Sequence, residues 1–314
     1  MFDKEYGALA GLAIGDSFGD AARMPENHQR FGITTDFTEE SSWSTDDTEF
    51  ALLTAQAIID SGGNLDADAV VRAWERYVLG QDEYHRGGSS EIEAAHNLRR
   101  GLRPPFSGMY NAYHISDGAA MRAAPIGIVA GGDIAKAAAW AEADASVSHF
   151  RDGIWGAQAV AAGVSRAMAG GTVDEIIAAA QSVIPPDSWL AYAFQKAMAI
   201  VDQFPSYEEA WIPLHTELWT TYKAAAPEAV PQAFALFRLS GGDFRRGIIC
   251  SGNFGRDADT IAAIVGALLG ALNGCEAIPR RWVEKTRYPT GTCLKFTKGK
   301  DLREVAQELT ALIK

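Results

Sequence analysis

Asp257, Asp259 and Thr260 fall within a single helical turn, just ahead of the apolar run from Ile261 to Leu272. A glycine-bearing turn, residues 251–256, leads into them. Two carboxylates and a hydroxyl at one helix start are hard oxygen donors, the class that suits Mg²⁺, Ca²⁺ or Mn²⁺. The same residue types also cap helices, and acids there meet the positive end of the helix dipole. A second stretch repeats the pattern: Ser44-Thr45-Asp46-Asp47-Thr48 precedes the apolar-rich segment Glu49 to Ile59. Capping needs one such side chain, and neighbouring carboxylates repel, so a cation between the two clusters would relieve both. The spacing therefore suggests a two-metal, all-oxygen site in which Thr45, Asp46 and Asp47 face Asp257, Asp259 and Thr260.

Other residues could complete such a site. Tyr6 to Gly15 reads as a buried helix of small and aliphatic residues that ends at Gly15-Asp16-Ser17-Phe18-Gly19-Asp20, delivering Asp16 into a turn as a third wall. Arg23 to Ser42 reads as a polar loop of the length that often forms a lid, with Glu26 and His28 as acid–base candidates. Ser116-Asp117-Gly118 starts a small-residue helix, where backbone N–H groups can approach an anion. His149 lies at a junction between helices, where a side chain can point into a cleft or be buried and hydrogen-bonded.

The elements that must position these groups are helical. Periodic apolar spacing marks segments near 65–79, 91–99, 133–145, 152–168, 173–184, 188–204, 207–222, 230–239 and 302–313. Proline pairs and single prolines punctuate them, and Trp189, Trp211 and Trp219 read as core or inter-helix anchors. No sustained β-alternation, repeat or low-complexity linker interrupts the pattern. The expectation is one all-α domain over residues 1–314.

Composition limits the partners. Hydrophobic residues make up 47% and charged residues 22%, an ordinary globular balance. With 28 Lys plus Arg against 40 Asp plus Glu, the net charge is −12, which argues against general nucleic-acid binding. Cys250, Cys275 and Cys293 show no metal spacing and read as reduced thiols of a cytoplasmic protein. No apolar run is long enough to span a bilayer, and a monomer is expected.

Four motifs in order resemble the ADP-ribosylglycohydrolase family: Gly11-Leu12-Ala13-Ile14-Gly15-Asp16, Trp43 to Thr48, Asp117 to Pro125, and Asn253 to Ala271 with its Asp-x-Asp-Thr-Ile. The resemblance runs from Gly7 to about Gly274 and implies a compact orthogonal helical bundle. It further implies two Mg²⁺ or Mn²⁺ ions held by Thr45, Asp46, Asp47, Asp257, Asp259 and Thr260. The reaction implied is hydrolysis of the bond between the terminal ribose of ADP-ribose and an acceptor, on a protein or a small molecule. Asp46, Asp47, Asp257 and Glu26 would be the catalytic carboxylates. Asp16, Ser116, Asp117, Gly118, Met121, Arg122 and His149 would contact substrate. The chain departs from the family pattern on the substrate side. Arg23 stands where a Glu is frequent, with Glu26 three residues on; Asp117 stands where Asn is usual; and Phe254 and Arg256 replace small residues. Two alternatives stay open: a hydrolase of a smaller nucleoside-like or ADP-ribose-derived compound, and a non-catalytic member of the family.

Overall fold

Two helices touch backbone to backbone at the centre of the molecule, and the rest is arranged about them. The computed structural model describes residues 2–38 and 42–313. Helix α1 (Phe2–Ala22) and helix α16 (Ala258–Asn273) are buried along nearly their whole lengths. A Cβ added to Gly7, Gly11, Gly15 or Gly19 would stand 2.5, 2.1, 2.0 and 2.4 Å from the carbonyl oxygens of Gly270, Gly266, Ala262 and Ala258. The partners step down by four as the glycines step up by four, so the helices run antiparallel with one fixed register. Only glycine allows so close an approach.

This contact corrects one expectation. The chain does not turn at Gly15-Asp16; α1 continues through Asp20 to Ala22. Locally, Gly and Asp favour a turn. Here the glycines instead form the face that packs on α16, and burial of that face outweighs local preference.

The chain between these two helices forms α2 (Pro25–Phe31), α3 (Asp46–Asp60), α4 (Ala67–Tyr77), α5 (Ser89–Arg99), α6 (Phe106–Met109), α7 (Gly118–Met121), α8 (Ala124–Ala130) and α9 (Ile134–Ala145). It continues through α10 (Asp152–Met168), α11 (Val173–Ser182), α12 (Trp189–Gln203), α13 (Tyr207–Leu218), α14 (Ala226–Ser240) and α15 (Phe244–Gly252). After α16 come α17 (Arg280–Thr286) and α18 (Leu302–Thr310). Among the described residues there is no strand; the one backbone bridge outside the helices joins Ser116 to Ala225. The all-α expectation holds. Helix α10 packs on α7, α8, α9, α11 and α16, and α14 packs on α12, α15 and α16, so both flank the central pair.

Several boundaries differ from the sequence reading. The stretch after Arg23 is not all loop: Pro25 occupies the first helical position of α2 and Glu26 its first turn, both favourable there. Residues 39–41 of the supposed lid lie outside the described residues. Helix α14 starts at Ala226, with Pro227 in the first turn, where its missing N–H has no intrahelical partner to lose. Trp189, Trp211 and Trp219 are exposed rather than anchoring the core; Trp74 and Trp282 are the buried indoles. Trp219 instead lies under the Arg256 guanidinium, 5.5 Å from its ring centre.

A Cβ added to Gly266 would stand 2.0 Å from the carbonyl oxygen of Gly11. Gly266→Ala is expected to force the central helices apart and cost about 1–3 kcal/mol or more, the range for overpacking. Urea unfolding checks this, and an unchanged midpoint would show that the contact does not set stability.

Candidate active site

The register of α1 on α16 decides where the acidic clusters meet. It brings the last turns of α1, with Asp16, Asp20 and the following Arg23, to the start of α16, with Asp257, Asp259 and Thr260. Asp16 then ties in α3. Its carboxylate accepts from Thr45 N–H at 3.0 Å, Thr45 Oγ1 at 2.6 Å, Thr48 N–H at 3.2 Å and Thr48 Oγ1 at 2.5 Å. Thus α1 holds the starts of both α3 and α16, and the two predicted clusters share one cleft.

The cleft is about 330 Å³ and is lined by Thr45, Asp46, Asp47, Asp257, Asp259 and Thr260 together with Ser116, Asp117, Gly118 and Met121. Three other sequence candidates do not line it. Asp16 is wholly buried behind α3, with its oxygens taken by the two threonines, so it is a positioning group. Glu26 is exposed on α2. Arg122 is fully buried and joins Glu91 to Asp144, at 2.8 and 2.7 Å.

His149 also lies behind the wall rather than in it. It is fully buried, with Nδ1 2.7 Å from Ser148 Oγ and Nε2 2.8 Å from Ser116 Oγ. The neighbouring donors settle its tautomer. Arg122 donates to Ser148 Oγ at 2.8 Å, so the Ser148 hydroxyl proton goes to His149 Nδ1. His149 Nε2–H then donates to Ser116, Ser116 to Ser90 at 2.8 Å, and Ser90 to Glu91 at 2.7 Å. Glu91 returns to Arg122, closing a hydrogen-bonded ring. Burial, then the Arg122 charge, holds the His149 pKa well below 6.5, so the imidazole is neutral. The ring fixes the wall that carries Ser116 and Asp117.

The sequence reading missed Glu91, Arg86, Tyr222 and Lys223, all of which line the cleft. The run Gly87-Gly88-Ser89-Ser90 before α5 was a usable signal for the first two; nothing local marks Tyr222 or Lys223. Arg86 and Arg256 adopt left-handed backbone, at φ 58° and 59°, an uncommon state for residues with a side chain. Arg256 is held there by Glu228 at 2.5 and 2.9 Å and by the Thr220 carbonyl at 2.7 Å. It fixes the loop before Asp257 and does not line the cleft. Phe254 is fully buried, 3.9 Å from the His215 ring centre, and so belongs to the packing.

The electrostatics differ between the two sides. Arg23 Nη1 donates to Asp257 Oδ1 at 2.9 Å and to Asp259 Oδ1 at 2.6 Å, and its Nη2 is 2.6 Å from Asp259 Oδ2. Lys223 Nζ lies 2.8 Å from Asp257 Oδ1. By contrast, Asp47 Oδ1 on α3 and Asp117 Oδ2 ahead of α7 are buried without a hydrogen-bond partner among the described residues. Burial first, and then facing carboxylates, push Asp46, Asp47 and Asp117 well above the ordinary carboxylate range. Asp259 is pushed up to about 8 by burial and by Asp257, with Arg23 opposing.

Orphaned, buried, hard oxygens of like charge fit a divalent cation on the Thr45–Asp47 side. On the α16 side the carboxylates already have cationic partners. As they stand, no three His, Cys, Asp or Glu side chains among the described residues form a group that could hold a metal ion.

Comparisons with known proteins cover the whole chain. The family model for ADP-ribosylglycohydrolase matches residues 1–314. The chain belongs to the ADP-ribosylglycohydrolase family. Its members hydrolyse glycosidic bonds, and the chain is a hydrolase of this class. An uncharacterized protein of Archaeoglobus fulgidus is 31% identical, over 90% of this chain and 92% of its own. The ADP-ribosylarginine hydrolase Tri1 of Pseudomonas putida is 27% identical, over 98% of this chain and 78% of its own. The ADP-ribosyl-[dinitrogen reductase] glycohydrolase of Rhodospirillum rubrum is 24% identical, over 91% and 90%. A solved structure titled ADP-ribosylglycohydrolase-related protein complex matches with a TM-score of 0.69 at 21% identity, over 100% of this chain and 99% of its own. At that identity the likeness is one of fold. No described helix is long and apolar enough to cross a membrane.

The raised carboxylates make the stability of this ADP-ribosylglycohydrolase depend on pH. Between 3.8 and about 8 the folded chain keeps a proton on Asp259 that the unfolded chain has released. The native state binds more protons there, so stability falls as pH rises through that window. In a chelator, the melting temperature is expected to drop from about pH 5 to about pH 8, less steeply for Asp259→Asn. Parallel slopes in the two proteins would overturn the assignment.

Proposed function

We propose that this chain cleaves the bond between the terminal ribose of ADP-ribose and an acceptor, with arginine-linked ADP-ribose as the first substrate to test, and that it depends on a divalent cation. The carrying observation is the division of the cleft. Its floor holds unpartnered carboxylate oxygens on Asp47 and Asp117, and its rim carries the part-exposed cations Arg86 and Lys223. An acidic floor suits a ribose whose ring gains positive charge, and a basic rim suits a diphosphate. The names of the relatives from Pseudomonas putida and Rhodospirillum rubrum support the ADP-ribosyl part of the reading.

Thr45, Asp46 and Asp47 would hold the cation, with Asp257, Asp259 and Thr260 opposite. When bound, a divalent cation polarises ribose hydroxyls and lowers the pKa of a water. The chain's own groups supply the rest. Asp46, half-buried at the cleft, would be ionised once a cation offsets the facing carboxylates, and would then be available to take the proton of the attacking water. In the same ionised state Asp47 and Asp117 would lend negative charge beside an oxocarbenium-like transition state. The buried ring through His149 and Arg122 keeps the Ser116–Gly118 wall in place for the substrate.

Release of ADP-ribose from arginine- and serine-linked acceptors, assayed with Mg²⁺, with Mn²⁺ and with a chelator, tests the reading. Metal-dependent release from one acceptor is expected. Silence across the panel with metal still bound would shift the substrate to a smaller ribosyl compound, and metal-independent release would remove the cation from the reading. Asp259→Asn should lower kcat/KM by about 10²-fold, the scale for losing one electrostatic group at a reacting centre. Full activity in that variant would remove Asp259 from the site. Glu26 is exposed and away from the cleft, so Glu26→Gln should leave turnover unchanged within about twofold, as for a surface residue. A large fall in turnover would bring α2 into the site.

A further inference from the structure

We infer that the Arg23 guanidinium stands in for one of two divalent cations, so that this chain carries a single divalent ion, on the Thr45–Asp47 side of the cleft. The inference rests on the metal-dependent reading above and narrows it. Arg23 reaches across from the end of α1 and forks between the two α16 carboxylates, with contacts of 2.9 Å to Asp257 and 2.6 Å to Asp259. It is locked in that pose from behind. Asp20, fully buried, accepts from Arg23 Nε at 3.2 Å and Nη2 at 3.0 Å. Asp20 is in turn held by Trp43 Nε1 at 2.6 Å and by Arg86. Planar, permanently charged and bidentate, a guanidinium is suited to such a place.

A charge count supports the asymmetry. On the α16 side, the carboxylates of Asp20, Asp257 and Asp259 meet the cations Arg23, Arg86 and Lys223. Three cations thus face three carboxyl groups there without a metal. The remaining cleft carboxyl groups, Asp46, Asp47 and Asp117, meet no cation among the described residues: Arg122 is taken by Glu91 and Asp144. Two of those three carboxylates also keep a buried oxygen without a partner, Asp47 Oδ1 and Asp117 Oδ2. A second divalent ion near Asp257 and Asp259 would have to displace a guanidinium held by three carboxylates. The first ion meets no such competitor.

The experiment counts ions rather than turnover. The full-length protein is stripped with chelator, dialysed and titrated with Mn²⁺, by calorimetry and by the free-Mn²⁺ electron paramagnetic resonance signal. One ion per chain is expected for the wild type and two for Arg23→Gln, with Arg23→Lys staying at one. Asp47→Asn should weaken the single ion at least tenfold, whereas Asp257→Asn should retain it. Two ions on the wild type, one on a folded Arg23→Gln, or loss of the ion in Asp257→Asn would each overturn the inference while leaving the metal-dependent hydrolase intact. If Arg23→Gln fails to fold, the wild-type count and the two aspartate variants still decide. No ion on either the wild type or Arg23→Gln would overturn both the inference and the metal dependence.

Discussion

The contact on which the site depends contains no functional side chain. It is the backbone seam between α1 and α16, where glycines at every fourth position let one helix lie on the carbonyls of the other. A seam of this kind cannot slide by one residue, because a Cβ would then replace a glycine hydrogen against a carbonyl. The fixed register carries the end of α1 to the start of α16. From there Asp16 reaches back to hold the first turn of α3 through Thr45 and Thr48. Two acidic helix starts from opposite ends of the chain thus depend on one helix, and their separation is set by packing rather than by any bond between them.

Holding so many carboxylates together is costly for the fold. The chain meets the cost differently in each layer. Around the wall, each charged group is hydrogen-bonded: Arg122 bridges Glu91 and Asp144, and the hydroxyls around His149 leave no donor idle. Such a network is stable because every member is satisfied, and it would be a liability if one were not. At the cleft itself satisfaction stops, at Asp47 Oδ1 and Asp117 Oδ2. Buried polar atoms without a partner also occur elsewhere, at Glu5, Trp74 and Gln232 among others, and what distinguishes these two is that both are carboxylate oxygens of one cleft.

How much of this was legible in the sequence follows from the range of each signal. The two acidic helix starts could be read because a cap and its helix are local, and because two adjacent carboxylates exceed what a cap requires. The motifs around Asp16, Asp46, Asp117 and Asp257 likewise pointed to the right family. The continuation of α1 past Gly15 could not be read, since the α16 backbone that makes it favourable is most of the chain away. Sequence also could not tell the face of a wall from its back. Ser116 and Asp117 face the cleft, whereas Arg122, only a few residues on, is buried behind it and His149 supports Ser116 from the same side. Glu91 and Lys223 were missed for the converse reason: each looks like an ordinary helix or loop charge until the fold brings it to the cleft. The exposed Trp189, Trp211 and Trp219 show that residue size alone does not assign a side chain to the core.

The departures from the family pattern become intelligible as one rearrangement of charge. Arg23, standing where a carboxylate is frequent, reverses the charge beside Asp257 and Asp259 and makes that side self-sufficient. Asp117, standing where an amide is usual, adds an acidic group to the cleft that already holds Asp46 and Asp47. Arg256 and Phe254 are not part of this exchange, because Glu228 and the His215 ring account for them within the loop. The two departures thus change the charge of the cleft in opposite senses. On the metal-dependent reading proposed above, a cation would be drawn toward Asp46, Asp47 and Asp117, which meet no cationic partner among the described residues, and away from Asp257 and Asp259, which Arg23 and Lys223 already hold.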